Sequence, residues 1–195
     1  GEPVYGINTG FGDLVDTRIP SDRVDELQTN LVRSHAAGAG RELTTEEVRA
    51  LVVTRVNALV KGYSGVREVI VDNLVTLLNG SIHPVVKSRG SLGASGDLAP
   101  LAHMSLVLLG EGAADTPDGR LPGSEALARV DVEPVVLRAK EGLALINGTQ
   151  LTVGLAALAV VDAERLCRTA DIAGALTTEV TMGTTAASEA AVQQV

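Results

Sequence analysis

The stretch Arg89-Gly-Ser-Leu-Gly-Ala-Ser-Gly-Asp-Leu-Ala-Pro-Leu-Ala-His103 joins a glycine-rich turn directly to the start of a helix. Asp97 suits a helix N-terminus and Pro100 is tolerated in a first turn, so a helix is predicted from Leu98 to Leu109. Just before it, Ala94-Ser95-Gly96 has the composition that a backbone needs to cyclise on itself. No side chain on Gly96 hinders attack of its nitrogen on the Ala94 carbonyl. Loss of the Ser95 hydroxyl as water would then leave an exocyclic methylidene, an electrophile that no ordinary side chain offers. Gly93 and Gly96 supply the backbone freedom that so compressed a turn requires. The commoner alternative is a plain glycine-rich turn whose free N–H groups hold a phosphate or carboxylate. The rest of the chain has to decide.

Outward from this stretch, most of the sequence carries helical signals. Ser21 is a natural N-cap and Asp22 favours a first turn, with Gly38 and Gly40 ending that run. Thr44-Thr-Glu-Glu47 is a capping box. Val48, Leu51, Val52, Val56, Leu59 and Val60 follow it at helical spacing until Gly62. Val66, Ile70, Leu74 and Leu77 share one face of a third helix that ends before Gly80. Thr149 to Ala170 is apolar nearly all round, which predicts a long buried helix, and Ala186 to Val195 is again helix-prone. Ser81 to Gly96 is a connector broken by Pro84, long enough to suggest function. Thr116-Pro-Asp-Gly119 is the turn of a small surface hairpin. Nothing repeats and nothing marks an interdomain linker. The expected fold is mainly α: a helical-bundle domain with glycine-rich active-site loops and a small surface hairpin.

The 195 residues are 45% hydrophobic and 21% charged, which is enough apolar surface for one core. A net charge of -8 without a basic stripe excludes a general nucleic-acid binder. Tyr5, Phe11 and Tyr63 are the sole aromatics, which excludes base stacking. No apolar run is long enough to span a bilayer, so no membrane partner is expected. Cys167 is single and is expected to be a structural thiol in a reducing, cytoplasmic setting. His35, His83 and His103 lack metal-ligand spacing, so no metal is expected. Leu92-Gly-Ala-Ser-Gly96 departs from Gly-x-Ser-x-Gly, and the strands of an α/β-hydrolase are missing.

Three further places carry candidate chemistry. Val4-Tyr5-Gly6-Ile7-Asn8-Thr9-Gly10-Phe11-Gly12 lacks the spacing and following helix of a dinucleotide fingerprint. It is either a structural loop or a mount for Tyr5 as a general base. His35, after Ser34 near the end of the first helix, is either a partner of that helix end or a catalytic group. Asn147-Gly-Thr-Gln150 follows the apolar Leu143 to Ile146, so its amides either cap the next helix or point into a pocket.

Five segments stand in order: Val4 to Gly12, Asn30-Leu-Val-Arg-Ser-His-Ala-Ala-Gly38, Arg55-Val-Asn-Ala-Leu-Val-Lys-Gly-Tyr-Ser-Gly65, Gly90 to His103, and Lys140-Glu-Gly-Leu-Ala-Leu-Ile-Asn-Gly-Thr-Gln150. Together they resemble the ammonia-lyase and aminomutase family that uses a methylidene-imidazolone prosthetic group. The resemblance spans nearly the whole chain and favours cyclisation over the plain turn. It implies that Ala94, Ser95 and Gly96 form the prosthetic group with Asp97 assisting, that Tyr5 transfers the proton, and that no metal takes part. His35 would lie by the substrate's imidazole and Asn147 would hold its amino or carboxylate end, with Gln150 a weaker carry-over. Ser34-His35 resembles the histidine-specific branch, which implies elimination of ammonia from L-histidine to give urocanate. The alternatives are a phenylalanine- or tyrosine-specific lyase or aminomutase, and a helical scaffold whose tripeptide never cyclises. The resemblance further implies an α-helical homotetramer with active sites shared between subunits and a small-molecule amino-acid substrate, and family members are longer than this chain. Residues 1–195 are thus expected to be part of one lyase catalytic domain, truncated at both ends. A second tyrosine, a carboxylate-binding arginine and a late glutamate of the family have no counterpart among them.

Overall fold

A computed structural model of the chain describes residues 2–10, 12, 15–94 and 96–194. Ser95, Phe11 and Val195, each named above, lie outside the described residues. The chain divides into two compact units, Gly1–Leu155 and Ala156–Val195.

In the first unit, Pro20 in an extended conformation delivers the chain into a 3-10 turn, Ser21–Arg23, closed by the Arg23 N–H on the Pro20 carbonyl (3.0 Å). Ser21 therefore sits inside the turn, and the N-cap expected of it does not form. Helix α1 (Val24–His35) follows and buries Val24, Gln28, Leu31 and Val32. Strand β1 (Ala39–Glu42) leads to α2 (Thr45–Leu59). Its capping box forms as expected: the Glu47 N–H donates to Thr44 Oγ1 (3.3 Å) and the Thr44 N–H to the Glu47 carboxylate (2.7 Å). The buried face of α2 is Val48, Leu51, Val52, Arg55 and Leu59, whereas Val60 is exposed. A guanidinium thus lies in the apolar stripe. Helix α3 (Glu68–Asn79) buries Ile70, Leu74 and Leu77 and packs against α2.

The connector after α3 contains two strands that the sequence does not announce, β2 (His83–Pro84) and β3 (Lys87–Arg89). Pairs and triplets of residues with partners far along the chain leave no alternation to detect. Strand β3 pairs antiparallel with β1, and β2 with β4 (Ala113–Thr116). Strands β4 and β5 (Gly119–Pro122) form the expected hairpin, with Thr116 Oγ1 donating to the Gly119 carbonyl (2.8 Å) across its turn. Helix α4 (Leu98–Leu108) is central: Leu101, Ala102, Met104, Val107 and Leu108 are wholly excluded from water. Around it pack α1, α3, α5 (Gly123–Ala128) and α6 (Glu141–Ile146). With six residues each, α5 and α6 are too short to print a helical period on the sequence.

Helix α7 (Gln150–Val180) begins in the first unit, where Leu151 and Gly154 are buried. A Cβ on Gly154 would press on Ala50 of α2 at 3.1 Å, so the two backbones lie close. The burial expected along the rest of this helix is not found. In the second unit Val160, Val161, Leu166, Ile172, Leu176 and Val180 are exposed, and so is Cys167, which is no interior thiol. Burial needs a second layer, and the described residues after Val180 form a 3-10 turn (Ala186–Ser188) and further turns rather than the expected helix. No helix among the described residues is long and apolar enough to cross a membrane.

Two outcomes follow for stability. Leu74→Ala, at a fully buried site, should cost about 2–5 kcal/mol in urea unfolding. His103 on α4 accepts the Gly38 N–H through Nε2 (3.1 Å), which requires a neutral ring, and burial, then Lys87, lowers its pKa. The unfolded ring takes up a proton below about pH 6.5 while the folded one resists, so this stability is fully present above that pH and is lost as pH falls through the folded value. Unfolding measured from about pH 8 down to pH 5 should show that slope, and His103→Gln, which keeps an acceptor, should flatten it.

Candidate active site

The Ala94–Gly96 segment is held from both ends. The Leu92 N–H donates to the Gly96 carbonyl (2.8 Å) and the Gly96 N–H to the Leu92 carbonyl (2.7 Å), closing a small loop around the tripeptide. Gly96 has φ +92°, a region that favours glycine, and a Cβ there would collide with the Gly148 carbonyl. That carbonyl also accepts the Asp97 N–H (2.6 Å). The glycine turn thus lies directly on Asn147-Gly-Thr-Gln150. Ala94 is exposed while Gly96 and Asp97 are buried, so the loop presents one end outward and anchors the other.

Asp97 stands at the N-cap position of α4 but makes no side-chain cap there. Its carboxylate, 1% exposed, instead accepts from Ser91 Oγ (2.6 Å), Thr152 Oγ1 (2.9 Å) and the Thr152 N–H (2.8 Å). The last of these satisfies a free donor in the first turn of α7. One buried carboxylate therefore ties the glycine loop to the start of two helices.

Tyr5 is 50% exposed on a loop in which the Ile7 and Asn8 N–H groups both donate to the Val4 carbonyl (3.1 and 3.2 Å). Gln28 fastens that loop to the core. Its Nε2 donates to the Gly6 carbonyl (3.3 Å), and its Oε1 accepts the Gly142 and Leu143 N–H groups (3.0 and 3.4 Å) at the start of α6. Glu141 completes that helix start. Burial works to raise its pKa, but the Arg67 guanidinium (2.8 Å) and the Arg138 and Arg67 N–H groups outweigh it, and the net shift is downward.

His35 lies two helical turns beyond Gln28, on the same face of α1. Its Nδ1 is 2.9 Å from the Leu31 carbonyl and 3.1 Å from Ser34 Oγ. A carbonyl only accepts, so Nδ1 carries a proton, and the tautomer this selects places the acceptor lone pair of the imidazole on Nε2. The chain after His35 is fixed by the bond from Gly38 to His103 on α4.

Asn147 is exposed beside a cavity of about 210 Å³ that Ser64, Lys140, Leu143 and Ala144 also line. Gln150 has its Oε1 engaged by Arg55 Nη1 (2.6 Å) and its backbone carbonyl by Thr54 Oγ1 (2.9 Å). A larger cavity of about 620 Å³ lies between Ile7, Asn8, Ile19 and Val24; Ile7 and Asn8 belong to the Tyr5 loop, but Tyr5, His35, Asn147 and Gln150 do not line it. The structure therefore joins Gly96 and Asp97 directly to the Asn147–Gln150 turn, and links Tyr5 and His35 to them through α1, α4 and α6. Among the described residues no group of three or more His, Cys, Asp or Glu side chains is placed to hold a metal.

Four residues of this arrangement were not among the sequence candidates: Gln28, Arg55, Ser91 and Thr152. Two left a signal. Gln28 and Arg55 fall where the helical stripes of α1 and α2 call for apolar side chains. Ser91 and Thr152 left none, because what distinguishes them is their approach to Asp97 in space.

Known proteins carry the same pattern. The family described as aromatic amino acid lyase matches residues 1–195. A probable histidine ammonia-lyase of Halobacterium salinarum is 69% identical over 194 residues, covering 100% of this chain and 37% of that protein. The crystal structure of histidine ammonia-lyase from Trypanosoma cruzi superposes with a TM-score of 0.86 at 42% identity, covering 95% of this chain and 36% of that one. Phenylalanine aminomutase of Pantoea agglomerans superposes with a TM-score of 0.81 at 37% identity, over 85% of this chain and 32% of that one. The chain thus spans about a third of the length of these relatives. On its sequence and its fold together, the chain belongs to the aromatic amino acid lyase family.

Proposed function

We infer that the protein is an ammonia-lyase that eliminates ammonia from L-histidine to give urocanate. The observation that carries this is the seating of Gly96 on the Gly148 carbonyl, which sets Gly96 and Asp97 against the turn bearing Asn147. The backbone there fits a methylidene-imidazolone: the loop from Leu92 to Gly96 is closed, and the space beside Gly96 admits no side chain. That group would supply the electrophile that turns the substrate amine into a leaving group.

The chain's own residues do the rest. Tyr5 Oη takes the β-proton. The Asn147 amide, beside Lys140 and Ser64, orients the amino or carboxylate end, with Gln150 behind it. The Nε2 lone pair of His35 accepts a hydrogen bond from an imidazole N–H, which neither a phenyl nor a phenol ring presents in that position. Asp97 holds the tripeptide in place during maturation. A homotetramer with sites shared between subunits is part of the same proposal. Its support is the exposed Val160, Leu166, Ile172 and Leu176 along α7, which favour association. One cysteine in the whole chain supports a reducing, cytoplasmic setting.

The experiment is made on the protein at its full natural length. Its intact mass should be lower than the encoded mass by two waters, and Ser95→Ala should abolish formation of the methylidene. An active preparation of unshifted mass would refute the prosthetic group. Turnover of histidine should exceed that of tyrosine and phenylalanine, and release of free ammonia separates a lyase from an aminomutase, which retains the nitrogen. Tyr5→Phe should lower kcat by about 100- to 10,000-fold without loss of the mass shift. His35→Leu should depress histidine turnover far more than it disturbs the thermal midpoint; a better rate on tyrosine by the unaltered protein would overturn the assignment to histidine.

A further inference from the structure

Arg55 is 2% exposed in the middle of the apolar stripe of α2, between Leu51 and Leu59. Burial alone pulls its pKa down, to about 10, which leaves it charged at neutral pH. Among the described residues its partners are all neutral. Nη1 donates to Gln150 Oε1 (2.6 Å), Nη2 donates to the Ala144 carbonyl and to the Asn147 carbonyl (3.1 Å), and the buried Nε has no partner. For packing alone, an aliphatic side chain at this position would serve better than a charge without a counter-ion. All three acceptors belong to one short segment, Ala144 to Gln150. A Cβ on Gly148 would collide with Arg55 Nη1 and Gln150 Oε1, and the carbonyl of the same Gly148 receives the Asp97 N–H (2.6 Å) and abuts Gly96. Guanidinium, Gly148 peptide and Gly96 are therefore in successive contact.

We propose that Arg55 is a positioning residue for formation of the prosthetic group: it braces the Ala144–Gln150 turn, and through the Gly148 carbonyl it anchors Gly96 while the Ala94–Gly96 backbone closes. The proposal rests on the methylidene-imidazolone assigned above. Closure forms the bond from Gly96 N to the Ala94 carbonyl carbon, and the Ala94 oxygen leaves as water with the amide hydrogens of Gly96 and Ser95. Ser95 then loses its Cα proton and its hydroxyl as a second water. The Gly96 N–H must leave the Leu92 carbonyl (2.7 Å) for this to occur. During that exchange Gly96 is kept in place by the contact with Gly148 and by the Leu92 N–H on its carbonyl (2.8 Å). A rigid anchor raises the fraction of time that nitrogen and carbonyl carbon spend within reach of each other.

The test follows the loss of two waters by intact mass over time, at full natural length, in Arg55→Gln, Arg55→Lys and a core control, Leu74→Val. Thermal midpoints are measured alongside. Arg55→Gln should mature at least tenfold more slowly than Leu74→Val even where the control is equally destabilised. Arg55→Lys, which keeps the charge but reaches fewer of the three acceptors, should fall between them, and it alone carries the test where Arg55→Gln does not fold. Once matured, the Arg55 variants should show a raised KM with a smaller change in kcat, because the Asn147 carbonyl has lost its brace. Either variant maturing at the rate of the control overturns the proposal. Absence of the mass loss in the unaltered protein is a different result, and overturns the assigned prosthetic group itself.

Discussion

A positive charge enclosed by protein must be met by oxygen atoms, and among the described residues Arg55 takes its acceptors from the one short segment, Ala144 to Gln150, that ends α6 and begins α7. Much of the site depends on that requirement. Held by the guanidinium, the turn presents the Gly148 carbonyl at a fixed place, and that carbonyl receives the Asp97 N–H and the bare face of Gly96. Asp97 in turn directs its carboxylate to Ser91 and to the first turn of α7. Charge, turn, glycine loop and helix start form one continuous set of hydrogen bonds around α2 and α4.

Gln28 does for the other side of the site what Arg55 does for this one. An amide donates and accepts at once, so a single buried side chain satisfies the Gly6 carbonyl on the Tyr5 loop and two N–H groups at the head of α6. Because α6 is only six residues long, its two ends are fixed by different neighbours: Gln28 and Glu141 at the start, Arg55 at the finish. The exposed amide of Asn147 is thereby set from both directions. Beneath that exposed amide the Asn147 backbone is satisfied inside, its N–H donating to the Leu143 carbonyl (3.0 Å) and its carbonyl accepting from Arg55 (3.1 Å). Rigid support beneath exposed reactive groups is what preorganised chemistry demands.

Much of the fold is legible from the chain. The capping box at Thr44 works because its two bonds are local, four residues deciding them. The hairpin at Thr116 to Gly119 and the helix opened by Asp97 and Pro100 are local in the same sense. The strands β1, β2 and β3 and the helices α5 and α6 are not, being too short to repeat a period often enough to reveal them. Along α7 the sequence misleads: apolar composition predicts burial, yet beyond Gly154 none of the described residues is fully buried, since composition states what a surface prefers and not whether a partner layer is present.

The candidate site divides along the same line. The sequence by itself nominated Tyr5, His35, Ala94 to Asp97 and Asn147 for the proposed chemistry, because they stand in ordered motifs that together resemble those of one family. It did not disclose Arg55, Gln28, Ser91 or Thr152, nor that the Asp97 carboxylate turns away from its own helix to serve another. Those roles were decided by tertiary structure alone. A buried polar group is defined by the partners that reach it, and the partners of Arg55 and Gln28 lie 89 or more residues on in the chain or at 22 and 114 residues' distance. Helical period locates the face on which such a group sits; only packing supplies the atoms that satisfy it.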